Sequence, residues 1–331
     1  MQAILVGFGS VGKRHLQQLE KRFERVIVVD PYVPAPTQVK TGTQFFRNLQ
    51  AYRADAISTG EAKKVPELAV IANWGPDHFA SLEELLEIGI RKFLVEKPLA
   101  SRISDLDKLE SLTSNQQIQI WSNFHLRYDQ TTDFLRKFVA ERGLPSPSLM
   151  TVSGGAKCLA TTGIHWIDYF LQFSKVTKYD IQSRILTDWI NPRSKDLAFL
   201  EGFIHLSSEK NSVNLVFTNH SYSDASVELF WETFKIQISE GKFRVLESQN
   251  LNIAELPITR TQPFDKLIYE SDFGLTGLDN LYDSFLESKE SMDCLFLANR
   301  LLLQSLIFSE SCKQLPDEEL KNLRDKDYLI S

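Results

Sequence analysis

The sequence predicts two domains of different class. Residues 1–122 form an α/β domain with a doubly wound parallel sheet, and residues 123–331 an α+β domain with a large, mostly antiparallel sheet. Three observations carry this. The first third alternates short apolar runs with helical patterns, as strands joined by right-handed crossovers do. A glycine-rich turn, Gly7-Phe8-Gly9-Ser10-Val11-Gly12, separates the first apolar run from the first helix. After about Asn123 the pattern changes to longer runs with two-residue alternation, as in antiparallel strands with one wet face.

The elements follow in order. Ala3–Val6 is a strand, the run after Gly12 a helix, and Val26–Val29 a second strand ending in Asp30. Pro31–Thr41 is a proline-containing connection. Glu67–Ala72 is a buried strand, Asn73-Trp74-Gly75-Pro76-Asp77 a turn, and Ser81–Ile88 an amphipathic helix. Lys92–Glu96 is a strand stopped by Pro98; Ser104–Leu112 is a helix and Ile118–Trp121 a strand. Ligands of such sheets bind beyond the carboxyl ends of the strands, where Asp30, Asn73 and Lys97 fall. In the second domain Asp129–Glu141 and Thr161–Phe173 are helical, with a loop at Leu144–Pro147. Alternating strands cover Asp180–Asp188, Leu197–Leu206, Val213–His220, Val227–Ile238 and Phe243–Glu247. Helices at Leu278–Ser288 and Cys294–Cys312 close the chain. The free face of the antiparallel sheet is a candidate subunit interface.

Composition narrows the function classes. The formal charge of −6 argues against a nucleic-acid or anionic-membrane surface. Cys158, Cys294 and Cys312 are odd in number and far apart, which fits reduced thiols of a cytoplasmic protein and not a disulfide frame or zinc site. A core strand begins within three residues of the N-terminus, so no signal peptide is expected, and no apolar run reaches bilayer-spanning length.

The glycine turn has a chemical reading. Gly7 permits the tight turn, Gly9 lets backbone approach a pyrophosphate, and Gly12 lets the helix pack closely on the strand. The helix N-terminus offers free N–H groups and a positive dipole end to phosphates. Asp30 would accept hydrogen bonds from the adenosine ribose, and its charge repels a 2′-phosphate. Pro31-Tyr32 supplies no cation for such a phosphate, so NAD is expected over NADP. Glycines alone can simply shape a turn. With strand, helix and acid all in register, a dinucleotide is the preferred reading.

Several further motifs then align in order. Arg14-His15 follows the turn, Asn73-Trp74-Gly75-Pro76-Asp77-His78 follows the third apolar run, and Glu96-Lys97-Pro98-Leu99-Ala100 the fourth. Asn123-Phe124-His125-Leu126-Arg127-Tyr128 lies at the domain crossing. Gly154-Gly155 precedes Gly163-Ile164-His165-Trp166-Ile167-Asp168. In this ordered set the chain resembles the glucose-fructose oxidoreductase/inositol dehydrogenase/rhizopine catabolism (Gfo/Idh/MocA) family. The resemblance implies a Rossmann domain with the loop of Asn73, Trp74 and His78 along the cofactor, and with Glu96 and Pro98 positioning Lys97 near the nicotinamide. It also implies an oxidoreductase acting with NAD on a hydroxyl or keto carbon of a sugar, cyclitol or sugar nucleotide, assembled as a homodimer or homotetramer.

Oxidising a secondary alcohol needs a hydride acceptor and a group to take the hydroxyl proton. The resemblance gives Lys97 the reacting oxygen. His165, early in an apolar helix, suits proton transfer, and Asp168 three residues on lies within reach of the same face. The family usually has an aspartate four residues before that histidine; here stands Thr161, which can bind a hydroxyl but cannot act as a carboxylate base. Two explanations compete. Either Lys97 and His165 suffice, with Thr161 on the substrate, or the scaffold has altered or lost redox chemistry and serves regulation. A cofactor retained through an oxidation and re-reduction cycle is a third possibility. Arg127, Lys157, Arg193 and Lys195 are candidate contacts to an acidic substrate, and the first two follow the motifs most closely. His15, His78 and His125 have the wrong spacing for a metal, so none is expected.

Overall fold

A computed structural model describes residues 1–32, 42–60, 64–115, 117–190, 198–248, 264–274, 277–286, 293–312, 322–323 and 325–328. The chain divides into two compact units. The first comprises Met1–Asn123, Leu281–Leu303 and Lys321–Ser331, the second Phe124–Asn280 and Gln304–Leu320.

In the first unit, β1 (Gln2–Val6), β2 (Arg25–Val29), β3 (Thr43–Phe46), β4 (Leu68–Ile71), β5 (Lys92–Val95) and β6 (Gln119–Ser122) form one sheet in the order β3-β2-β1-β4-β5-β6. Every pairing in it is parallel. The residues of β1 and β4 beyond the sheet's first are almost fully buried, as expected of strands covered on both faces. Helices α1 (Ser10–Arg22), α2 (Leu49–Ser58), α3 (His78–Glu87) and α4 (Ile103–Ser114) connect them. The strand order reverses between β1 and β4, so the two loops leaving these strands flank the switch point where such sheets take ligands.

The reading of the sequence left residues 42–60 without an element. That stretch holds β3 and α2, whose start is capped by Asn48 accepting from the Ala51 amide at 2.8 Å.

In the second unit, α5 (Gln130–Glu141) follows its N-cap Asp129, and β7 (Leu149–Gly154) leads into α6 (Leu159–Leu171). The remaining strands are β8 (Asp180–Ile190), β9 (Ala198–Ser207), β10 (Ser212–Phe217), β11 (Ser226–Phe230), β12 (Phe234–Ser239), β13 (Lys242–Ser248) and β14 (Phe264–Asp272). They make an eight-stranded sheet, β14-β13-β12-β11-β7-β10-β9-β8. Among the described residues only the β7–β10 pair is parallel in this sheet. Alternation of buried and half-exposed residues along β10, β11 and β12 gives the expected single covered face.

One expectation is corrected. Val227–Ile238 is a hairpin and not one strand, with the turn closed by the Trp231 amide donating to Phe234 O at 2.8 Å. The final stretch is divided between the two units. Helices α7 (Gly277–Leu286) and α8 (Asp293–Ser311) each contribute residues to both units. The reason is apolar burial: Leu281, Tyr282 and Phe285 are buried, and the Phe285 ring meets Trp121 edge-on at 4.4 Å.

Candidate functional site

At the head of α1, Gly7 has φ +94°, and a methyl group there would lie 2.4 Å from the Asn73 amide. Its own N–H donates to Val29 O at 2.9 Å, so the turn is tied to the end of β2. A methyl at Gly12 would lie 2.1 Å from Gly7 O, which is the close helix-to-turn approach expected of the third glycine. Gly9 differs: a methyl there would meet nothing within 4 Å. Gly9 is also the N-cap of α1, with no side-chain cap and no acidic residue in the first turn. The first turn of α1 therefore presents uncapped amides and an unopposed dipole end beside the open side of Gly9, which fits a pyrophosphate.

Asp30, at the end of β2, accepts from the Phe8 amide at 2.7 Å and from the Tyr32 amide at 2.8 Å. The carboxylate thus braces the glycine turn before any ligand arrives, and each oxygen keeps a second lone pair for a ribose hydroxyl.

Beyond β4, Asn73 donates from Nδ2 to Ser81 Oγ at 2.9 Å, while its Oδ1 is buried with no hydrogen-bond partner. Trp74 is 37% exposed. His78, an expected cofactor contact, is buried, with Nδ1 donating to Pro98 O at 2.7 Å and Nε2 lying 3.3 Å from Asn73 O. Burial lowers its pKa, so it stays a neutral strut between the loop after β4 and the bend after β5.

That bend carries Glu96 and Lys97. Glu96, an expected cofactor contact, is buried. Oε1 accepts from His15 Nε2 at 2.9 Å and from Asn123 Nδ2 at 2.7 Å. Burial would push the Glu96 pKa up. The His15 hydrogen bond and charge, the Asn123 amide and the Lys97 charge more than offset this and hold it at about 2. A permanently ionised carboxylate therefore precedes Lys97 at the end of β5.

In the second unit, Gly154-Gly155 leads to Lys157 and Cys158, and α6 then carries Thr161, His165 and Asp168. Cys158 caps the helix at φ +56°, a strained conformation for a residue with a side chain, and is buried with the Leu200 amide 3.5 Å from its sulfur. Thr161 and His165 are one turn apart on α6. Thr161 is half-buried and His165 is buried, its ring 4.4 Å from that of His125 and edge-on to Phe124 at 5.7 Å.

Asp168 is fully buried. It takes a bidentate pair from Arg127, whose Nε lies 3.1 and 2.9 Å from the two oxygens and whose Nη2 also donates to Oδ1. Arg127 is itself buried, and this ion pair lies inside the second unit. Lys157 pairs at the surface with Asp224, whose carboxyl that bond holds below its ordinary range. Arg193 and Lys195 lie outside the described residues. Among the described residues no cluster of three or more His, Cys, Asp or Glu can hold a metal, and no helix is long and apolar enough to cross a membrane.

Residues 1–124 match the family described as "Oxidoreductase family, NAD-binding Rossmann fold", the Gfo/Idh/MocA oxidoreductases. The matched stretch covers the parallel-sheet part of the first unit. No curated protein sequence matches the chain. Solved structures of this kind match it over nearly its whole length. UDP-N-acetylglucosamine 3-dehydrogenase from Acidithiobacillus ferrooxidans is 14% identical, with 94% of this chain and 97% of that one covered and a TM-score of 0.66. The putative oxidoreductase yvaA from Bacillus subtilis is 11% identical, with 94% and 96% covered and a TM-score of 0.70. A super-repressor mutant of Gal80p from Saccharomyces cerevisiae is 12% identical, with 98% and 99% covered and a TM-score of 0.64. At these identities the likeness is one of fold. The Gfo/Idh/MocA fold is thus found both in a dehydrogenase and in a repressor.

Two participants around Glu96 escaped the sequence reading. His15 was weighed only as a metal ligand, and Tyr282 was not singled out at all. His15 stands on the buried face of α1 with Gly12, Leu16 and Leu19, a readable signal. Tyr282 is 267 residues away from it in sequence, and nothing local announces the pairing.

Proposed function

We propose that the protein is an NAD-dependent oxidoreductase moving hydride to or from a hydroxyl or keto carbon of a sugar, cyclitol or sugar nucleotide. The observation that carries this reading is Lys97 at the carboxyl end of β5, following a buried, ionised Glu96 in an NAD-binding Rossmann unit. When bound, NAD supplies the hydride acceptor. The turn Gly7–Gly12 with the N-terminus of α1 would hold its pyrophosphate, Asp30 its adenosine ribose, and the Asn73–Trp74 loop its nicotinamide half. Asp30 disfavours a 2′-phosphate by charge, which supports NAD over NADP. Lys97 would bind the reacting oxygen and hold its proton, His165 would take part in proton transfer, and Thr161 would hydrogen-bond a substrate hydroxyl.

Arg127 and Asp168 would support the substrate-binding side by fixing the start of the second unit to α6. Self-association is proposed through the outer face of the antiparallel sheet, where the register neighbours Phe203 and Val216 are 39% and 50% exposed. A cytoplasmic setting and a small-molecule substrate complete the proposal.

A second reading has its own support. Thr161 replaces the usual family aspartate, and a repressor shares the fold, so the chain can instead be a cofactor-binding regulator without turnover. Fluorescence titration with NADH and NADPH, with Asp30→Ala as control, is the first test. Turnover of a sugar and sugar-nucleotide panel follows, in wild type, Lys97→Ala and Thr161→Asp. Binding of NADH with turnover abolished in Lys97→Ala supports the enzyme. Binding without turnover on any substrate, even in Thr161→Asp, favours the regulator, and no binding of either cofactor refutes both.

A further inference from the structure

The Glu96 carboxylate accepts from His15 and Asn123, and Tyr282 stands behind His15, so three separated parts of the first unit meet here. His15 comes from α1 and Tyr282 from α7, both fully buried, and Asn123 follows β6. The Tyr282 hydroxyl lies 2.9 Å from His15 Nδ1, and His15 Nε2 lies 2.9 Å from Glu96 Oε1. Burial and the Glu96 charge, opposed by Arg22, push the Tyr282 pKa well above its ordinary value, so the phenol keeps its proton. In one hydrogen-bonding arrangement Tyr282 O–H donates to Nδ1, and Nε2–H donates to the carboxylate. Every donor then has an acceptor.

The groups that bear on this chain electrostatically are Lys97, His78 and Arg22. His78 feels both Glu96 and Lys97, and Arg22 stacks over the Tyr282 ring at 5.4 Å while pairing with Asp283 at 2.6 Å. Because Glu96 stays ionised down to about pH 2, the chain is no proton relay in the neutral range. What it can do is keep a charge in one place.

A second set of contacts grips the backbone just after Lys97. The Leu99 amide donates to Asn299 Oδ1 at 2.9 Å in a buried position, and the Tyr328 amide donates to Ser101 O at 3.1 Å. Both partners come from the C-terminal portion of the chain, as Tyr282 does.

We infer that His15 and Tyr282 are positioning residues for Lys97, acting through Glu96, whose carboxylate they fix as a stationary negative charge beside the lysine. The inference rests on the role proposed for Lys97. A purely structural part for the same residues would fasten α7 to α1 and leave the lysine's chemistry unchanged.

The test is the rate of Lys97 modification by a small amine-directed reagent across a neutral-to-alkaline pH series, read by mass spectrometry on the full chain without cofactor. A neighbouring carboxylate favours the ammonium, so losing it should let Lys97 react at lower pH. Glu96→Gln should move the profile down by about one pH unit. His15→Leu should move it the same way and less far, because Asn123 still holds the carboxylate. The double variant His15→Leu/Glu96→Gln should match Glu96→Gln alone, since both changes act on one charge. Tyr282→Phe, which removes a single hydroxyl, carries the test if His15→Leu fails to fold.

A wild-type profile in both His15→Leu and Tyr282→Phe overturns the inference, as does a double variant whose shift is the sum of the two. A wild type that fails to bind NADH but shows the expected shifts removes the oxidoreductase reading and leaves the positioning intact.

Discussion

Gly9 and Gly12 lie three residues apart in the same turn, and alanine should affect them in opposite ways. At Gly12 the new methyl would lie 2.1 Å from Gly7 O, where a relaxed carbon–oxygen contact is about 3.3 Å. Both sides of the clash are backbone or fixed to it, so α1 must lift off the turn by about 1 Å. Overpacking of this kind costs about 1–3 kcal/mol, and the upper end applies where no side chain can yield. At Gly9 the backbone is at φ −68° and ψ −164°, open to any residue, and the methyl meets nothing within 4 Å.

Two small effects oppose each other at Gly9. Alanine lowers the entropy of the unfolded chain by about 0.4–1 kcal/mol, and it is a poorer N-cap than glycine by a similar amount. Net stability should change by less than about 1 kcal/mol. Urea unfolding and NADH fluorescence titration on both variants separate the cases. Gly12→Ala should lose stability and cofactor affinity together. Gly9→Ala should keep its urea midpoint and lose affinity by about tenfold or more, equivalent to about 1.4 kcal/mol. If Gly9→Ala binds NADH as wild type does, the open side of the turn is not where the pyrophosphate lies, and the cofactor placement argued above is wrong.

Other perturbations follow from the buried charges. Asp168→Ala should destabilise the second unit by about 3–5 kcal/mol by stranding the Arg127 guanidinium, whereas Arg127→Met/Asp168→Leu should cost far less than the two single changes summed; urea unfolding of the cycle reads this directly. The first unit should lose stability to acid in two stages. His78 is kept neutral by burial while the unfolded chain takes a proton there, so stability falls as pH drops below about 6.5. Glu96 then contributes on the order of 3 kcal/mol above pH 4.5, lost as pH falls from 4.5 towards about 2, and the difference in urea midpoint between wild type and Glu96→Gln should close over that window.

What was legible in the sequence is what a short stretch must satisfy by itself. The glycine turn is constrained within six residues, and its strand, helix and terminal acid are adjacent, so its geometry follows from local rules. The hairpin at Val227–Ile238 was also legible in principle. Buried positions run Val227, Leu229, Trp231 and then Phe234, Ile236, Ile238, and this change of parity cannot occur in one flat strand. Partner choice for a buried charge is different, because it is decided by residues brought together only by the fold. Asp168, three residues from His165 on an apolar helix, invited an orienting role, yet a carboxylate with no solvent access must first find a cation. Arg127 supplies it from 41 residues away. The same logic gives Glu96 the donors of His15 and Asn123, with Tyr282 behind His15. An acidic residue inside an apolar run is therefore better read first as one half of a buried pair whose partner is unknown. A direct functional role should be assigned only after that partner is found.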